Sequence, residues 1–186
     1  MENNEIPYDL AKSEFRKKAP RLEFDDMETI VVEEILNEDI LKQTRDIWLH
    51  GSFIDPNSEI DKGDKRSDLD IFVVVPNWNL PAVTSGITWA ASQAPTLEDL
   101  DHLRDHYTWK ELPSKEKKWN CTAEEAWEKL PECVRKTFIR ASHRFFFAND
   151  NDYREKKMRN YDVFIGNISQ FQYHKTIGPK AKIWEN

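Results

Sequence analysis

The amino-acid sequence predicts an α+β fold, a small mixed β-sheet flanked by α-helices with a helical insertion. Short runs rich in β-branched and aromatic residues, such as IFVVV at residues 71–75, have the length and composition of strands. Other segments carry apolar residues at helical spacing and begin with their own capping signals. Together these describe helices packed on a sheet.

Residues 1–24 show no clean period and are expected as an N-terminal arm of low order. Residues 25–186 are expected to form one domain. Asp25 or Asp26 can cap a helix whose apolar positions Met27, Ile30, Val31, Ile35 and Leu36 fall near helical spacing, ending near Thr44. Residues 47–50 read as a short strand, and 69–75 as a longer one ended by Pro76. The longer run does not alternate polar with apolar, so it is expected at the centre of its sheet, covered on both faces. Residues 77–95, with Pro81, Gly86 and Pro95, read as a connecting loop with one short helix.

Thr96 with Asp99 resembles a capping box, and Leu97, Leu100 and Leu103 continue the helix to about Tyr107. Thr122 with Glu125 repeats the signature, and Pro131 fits the first position of a further helix carrying Val134 and Phe138. These helices make up the insertion, about residues 86–141. HRFFFAND and NYDVFIGN then read as two adjacent antiparallel strands.

The 186 residues suit one domain, and 33% charged with 39% hydrophobic residues is ordinary for a globular protein. No apolar stretch approaches bilayer length, and the N-terminus lacks the basic and apolar regions of a secretory signal. With only Cys121 and Cys133, reduced thiols and a cytoplasmic location are expected, with no membrane partner. A net charge of −7 argues against a general grip on nucleic acid phosphates. Residues 22–41 hold eight acids and no Lys or Arg, whereas residues 153–182 hold seven Lys and Arg against two acids. Solvated surface is the simpler reading of each run.

One stretch carries chemistry. Residues two apart on a strand point to the same side, so Asp68 and Asp70 project together at the mouth of the buried run. Two close carboxylates raise each other's pKa unless a cation lies between them. Magnesium suits that place, because it takes one or two carboxylates together with substrate phosphates. The Gly51-Ser52 pair follows the preceding strand; glycine permits a tight turn and close approach, and exposed backbone N–H groups there can hold phosphate oxygens. Asp162, in NYDVFIGN, is flanked by strand formers as Asp70 is. On a strand beside Asp70 it would complete a three-carboxylate cluster able to hold two metals about 4 Å apart.

The order strand, Gly51-Ser52, loop, Asp68-Leu69-Asp70, then a later strand with Asp162 resembles the nucleotidyltransferase fold of the DNA polymerase beta superfamily. More narrowly, LHGSF and SDLDIFVVV resemble the small prokaryotic nucleotidyltransferases, both the minimal enzymes of toxin–antitoxin pairs and the aminoglycoside type. The resemblance implies bound Mg²⁺ or Mn²⁺, an NTP, with ATP expected, and transfer of a nucleoside monophosphate to a hydroxyl with release of pyrophosphate. It assigns the triphosphate to Gly51 and Ser52, and the metals to Asp68, Asp70 and Asp162. The acceptor would be a protein, a small molecule or an RNA end.

Fifteen residues separate Ser52 from Asp68, more than the compact family pattern, and Pro56 limits any helix after the turn. These departures motivate an alternative, a nucleotide-binding antitoxin-like or sensor module with a protein partner and weak or no catalysis. A third reading is an inert interaction protein using the acidic helix and basic tail. Among the remaining residues, His102 and His106 fit a solvated helix face better than a metal site. Arg140, His143 and Arg144 suit either a triphosphate or a helix C-terminus. Trp78, Trp89 and Trp109 are expected in packing before base stacking, and both cysteines in packing before catalysis.

Overall fold

The structure, a computed structural model, describes residues 4–58, 68–80, 82–85, 123–155, 159–173 and 178–186. The described strands are β1 (Asp46–His50), β2 (Leu69–Val74), β3 (Val83–Thr84), β4 (Phe145–Phe146), β5 (Arg159–Gly166) and β6 (Lys180–Glu185). They form a mixed sheet of order β3-β5-β2-β1-β6, with β4 pairing β5 off that path. β2 runs parallel to β5 and antiparallel to β1, and β1 runs antiparallel to β6. The architecture is α+β.

β2 is central, as its unbroken apolar run predicts: Ile71, Phe72, Val73 and Val74 are all fully buried. The antiparallel pair expected from the two aromatic runs is also present, with Phe145 opposite Asn160 and Phe146 opposite Arg159. Two strands go beyond the sequence reading. β3 lies inside the expected loop 77–95, where Val83 and Thr84 extend β5 by pairing with Ile165 and Phe164. β6 alternates half-buried Lys180 and Lys182 with buried Ala181 and Ile183, the period of a strand with one covered face. Its outer edge is met by the start of the chain: the Ile6 amide donates to the Lys180 carbonyl, and the Lys180 amide to the Asn4 carbonyl, each at 3.0 Å.

The N-terminal stretch expected as a low-order arm holds helix α1 (Tyr8–Lys18). Ala11, Phe15 and Ala19, four residues apart, are fully buried, so the segment has an apolar stripe to anchor it. The helix expected from Asp25 to Thr44 is broken in two. α2 (Asp26–Thr29) runs into a π-helical stretch (Ile30–Ile35), the chain extends at Leu36, and α3 (Glu38–Leu41) begins anew. Asn37 causes the restart: its side-chain oxygen accepts from the Asp39 and Ile40 amides, and its Nδ2 donates to the Cys133 carbonyl at 2.7 Å.

Of the expected insertion, residues 86–122 lie outside the described residues; α4 (Ala123–Lys129) and α5 (Glu132–His143) form its last part. Pro131 takes the cap position of α5, one residue before the helix. α6 (Asp150–Arg154) and α7 (Ile168–Tyr173) complete the helices described. Among the described residues no helix is long and apolar enough to cross a membrane.

The sheet has two unlike faces. One carries Leu49, Ile71, Val163 and Ala181 and joins Phe15, Met27, Val31 and Phe138 in the main core beneath α1, the π-helical stretch and α5. The other carries a smaller cluster of Trp48, Phe72, Val74 and Phe171, the last from α7. This second face also holds the carboxylates.

Candidate functional site

Strand registry assembles the site. Asp70 on β2 lies opposite His50 on β1 and beside Asp162 on β5. His50 in turn lies opposite Lys180 on β6. Directly paired residues share a face, so Lys180, His50, Asp70 and Asp162 form one row across four strands. The next row on that face is Lys182, Trp48, Phe72 and Phe164, whose aromatic rings floor the site. Phe72 stacks on Phe164, with their planes 7° apart, and His50 lies 5.7 Å from Phe164. Lys180 Nζ rests 4.8 Å from the Phe171 ring centre, and Lys182 Nζ 5.4 Å from that of Trp48.

The chain leaves β1 at Gly51 with φ +84°, a conformation open to glycine and strained for other residues. The absence of a side chain has a second use, since a Cβ at Gly51 would overlap Asp70 Oδ2. The turn is closed by the Ile54 amide on the Gly51 carbonyl at 3.3 Å. Among the described residues, the Ser52 and Phe53 amides donate to nothing. Turn amides left unengaged after a left-handed glycine can form a nest, which favours anions.

Burial pushes the Asp70 carboxyl well above the usual carboxylate range, and the charges of Asp162 and then Asp68 push it further. Asp162 is buried, and burial raises its carboxyl too, while Thr84 and Ser85 partly offset the rise. Both hydroxyls donate to Asp162 Oδ1, at 2.6 and 2.7 Å. Oδ2 accepts no hydrogen bond among the described residues, so one oxygen is fixed by donors and the other is available. Ser85 is locked in turn: its amide donates to the Val163 carbonyl at 3.0 Å, and its hydroxyl accepts from the Val163 amide at 3.3 Å.

Asp68 stands just before β2 and is half-buried, close enough to raise Asp70. Three acids and the Gly51-Ser52 turn therefore meet at one end of the sheet. Among the described residues no group of three or more His, Cys, Asp and Glu side chains is arranged as a ready metal cage. The donor set still suits magnesium, whose sites combine one or two carboxylates with phosphate oxygens and water. Asp68 and Asp70 would supply those carboxylates, with Asp162 Oδ2 on the neighbouring strand. A cation there would lift the unfavourable proximity that raises Asp70.

Several other candidates have structural uses. Arg140 Nη1 donates to the Leu36 carbonyl at 3.1 Å, and Arg144 pairs with Glu34 through Nε at 3.1 Å. His143 is exposed at the end of α5. Trp78 is buried in the main core. Cys133 is half-buried, and burial raises its thiol, which disfavours a thiolate nucleophile. His102, His106, Trp89, Trp109 and Cys121 lie outside the described residues. Sequence reasoning missed His50, Thr84, Ser85 and Lys180. Only His50, directly before the Gly-Ser pair, was near a recognised signal.

Comparison with known proteins adds no relative: no family model, no curated protein and no solved structure matches the chain.

Proposed function

We propose that the protein is a metal-dependent nucleotidyltransferase that moves a nucleoside monophosphate from an NTP, with ATP expected, to a hydroxyl acceptor. The observation that supports this reading is the registry of Asp70 with Asp162, set against a glycine turn whose lost Cβ makes room for the Asp70 carboxylate. An anion-favouring turn beside two carboxylates is paradoxical for a single ligand. It suits a ligand that brings its own cation, as a triphosphate with Mg²⁺ or Mn²⁺ does.

In this reading the amides after Gly51 hold phosphate oxygens, and Asp68 and Asp70 would hold the metal. Bound metal would supply Lewis-acid stabilisation of charge building on the α-phosphate and the leaving pyrophosphate. Asp162 Oδ2 takes the proton of the acceptor hydroxyl as its oxygen bonds to the α-phosphorus and the bond to the β-phosphate bridging oxygen breaks. A carboxyl raised by burial is better matched to that proton than an ordinary one. The acceptor class, whether protein, small molecule or RNA end, is set by residues beyond this row, and the reaction is assigned to the cytoplasm.

The experiment is incubation with each α-labelled NTP and Mg²⁺ in cell extract, followed by identification of the species that gains label. Label on an acceptor, dependent on metal, is the expected result; no transfer with any of the four nucleotides rejects catalysis. The second reading, a nucleotide-binding antitoxin-like or sensor module with a protein partner, is favoured by the burial of Asp162, only 8% exposed. Metal-dependent nucleotide binding without transfer would select it.

A further inference from the structure

The turn that follows β1 is held from behind by a residue of the N-terminal helix. Lys18, in the last turn of α1, donates through Nζ to the Ser52 carbonyl at 2.8 Å and to the Asp55 carbonyl at 2.5 Å. Lys18 and Ser52 stand 34 positions apart in sequence, so this is a tertiary contact made only in the folded chain. The nearest acid of α1, Glu14, pairs with Lys17 instead. A half-buried ammonium is thus bonded to neutral carbonyls, and burial makes its charged form less favourable than usual.

Peptide geometry gives that arrangement a direction. In a trans peptide the C=O of one residue and the N–H of the next point opposite ways. Drawing the Ser52 carbonyl onto Lys18 therefore turns the Phe53 N–H away from α1. The same segment is gripped through Phe53, whose ring lies 6.0 Å from Phe15 of α1 and 5.3 Å from Phe146 of β4. The Ser52 and Asp55 carbonyls are held on one side of the turn, and the Phe53 amide, unengaged among the described residues, is left to the other.

We propose that Lys18 is a positioning residue for phosphate: by binding the carbonyl side of the 51–55 turn, it holds the amide side in its anion-receiving form. The proposal rests on the nucleotidyltransferase reading, because it presumes that a phosphate group is what the turn receives. A cation that touches carbonyls and not ligand also adds favourable long-range charge behind the nest.

The test uses the full chain with magnesium pyrophosphate, which makes the probe independent of the preferred base. Calorimetry compares the parent with Lys18→Met, Lys18→Gln and Lys18→Arg, and thermal melts establish that each variant folds. Expected are parent binding, about tenfold weaker binding by Lys18→Met at a similar melting temperature, and recovery in Lys18→Arg. Lys18→Gln, which keeps a donor of shorter reach, should fall between and serves if the methionine variant does not fold. Hydrogen exchange at the Phe53 amide should change in Lys18→Met even without ligand. Parent-like affinity in Lys18→Met or Lys18→Gln overturns the proposal and leaves the functional reading intact. Failure of the parent to bind pyrophosphate overturns both. Unchanged exchange at the Phe53 amide also overturns the proposal, whatever the affinities.

Discussion

Leu49, Ile71 and Val163 lie on the same three strands as His50, Asp70 and Asp162, one residue away along each chain, yet the two sets obey opposite rules. The first set faces the helices and is fully buried among apolar partners. The second faces away from that core, and burial raises both carboxyls in it. One face is arranged for stability. The other places ionisable groups where burial disfavours their charge, a pattern that structure tolerates more often at functional sites than in a core.

The comparison would break most visibly through the core. Phe138→Ala removes a fully buried ring beneath the sheet and should cost about 3–5 kcal/mol in denaturant unfolding. A loss below 1 kcal/mol would mean the helices do not hold that face.

On the opposite face, stability and activity should part. Asp70→Asn should abolish metal-dependent transfer by about a thousandfold while leaving the fold intact. Because Asp70 titrates above the usual range when folded, the protonated form is favoured by folding. Parent and variant should therefore melt alike below the ordinary carboxylate pKa. As pH rises through the folded pKa of Asp70, the parent should fall progressively below the variant. Adding Mg²⁺ at neutral pH should narrow the gap. Melts across pH 3 to 8 check this, and a parent more stable than Asp70→Asn at neutral pH would invert the assignment.

Gly51→Ala tests the junction between the two faces. It forces an L-residue to φ +84° and sets a methyl against Asp70 Oδ2, so about 1–3 kcal/mol of stability should be lost. Nucleotide binding should weaken with it, and Asp70→Asn in the same chain should not restore the stability that the backbone strain removes.

Thr84→Val is the mildest change. It deletes one of two donors to Asp162 Oδ1 and should cost about 1 kcal/mol. Since that donor lowers the Asp162 pKa, the carboxyl should titrate higher in the variant, readable by carbon-detected NMR. An unchanged pKa would mean that Ser85 alone holds the carboxylate.

What the sequence disclosed follows from how locally each signal is encoded. β2 was legible because a continuous β-branched run is central wherever it pairs, and Asp162 because strand formers surround it on both sides. Its pairing with Asp70 was expected, and the parallel register places the two acids side by side. The break at Asn37 was hidden because Leu36 and Ile40, four residues apart, carry the helical spacing across it; the stop is written in one side chain and a contact to α5. α1 and β6 carried their signals openly, Ala11, Phe15 and Ala19 at steps of four and Lys180, Ala181, Lys182 and Ile183 at steps of two. The lysines interspersed among them mask that period with charge. Thr84, Ser85 and Lys18 act across long separations, and no local pattern distinguishes them from ordinary surface residues.

The pairing of residues 4–6 along β6 has a consequence for how the molecule behaves at high concentration. A bare edge strand presents unpaired amides and carbonyls to any similar strand it meets. Here residues 4–6 engage both backbone groups of Lys180, while Lys180 and Lys182 place like charges along the same strand. A chain trimmed of its first six residues would retain the acid row but leave the Lys180 amide and carbonyl without these partners at that edge. The N-terminal segment thus closes the sheet edge at Lys180 to strand addition.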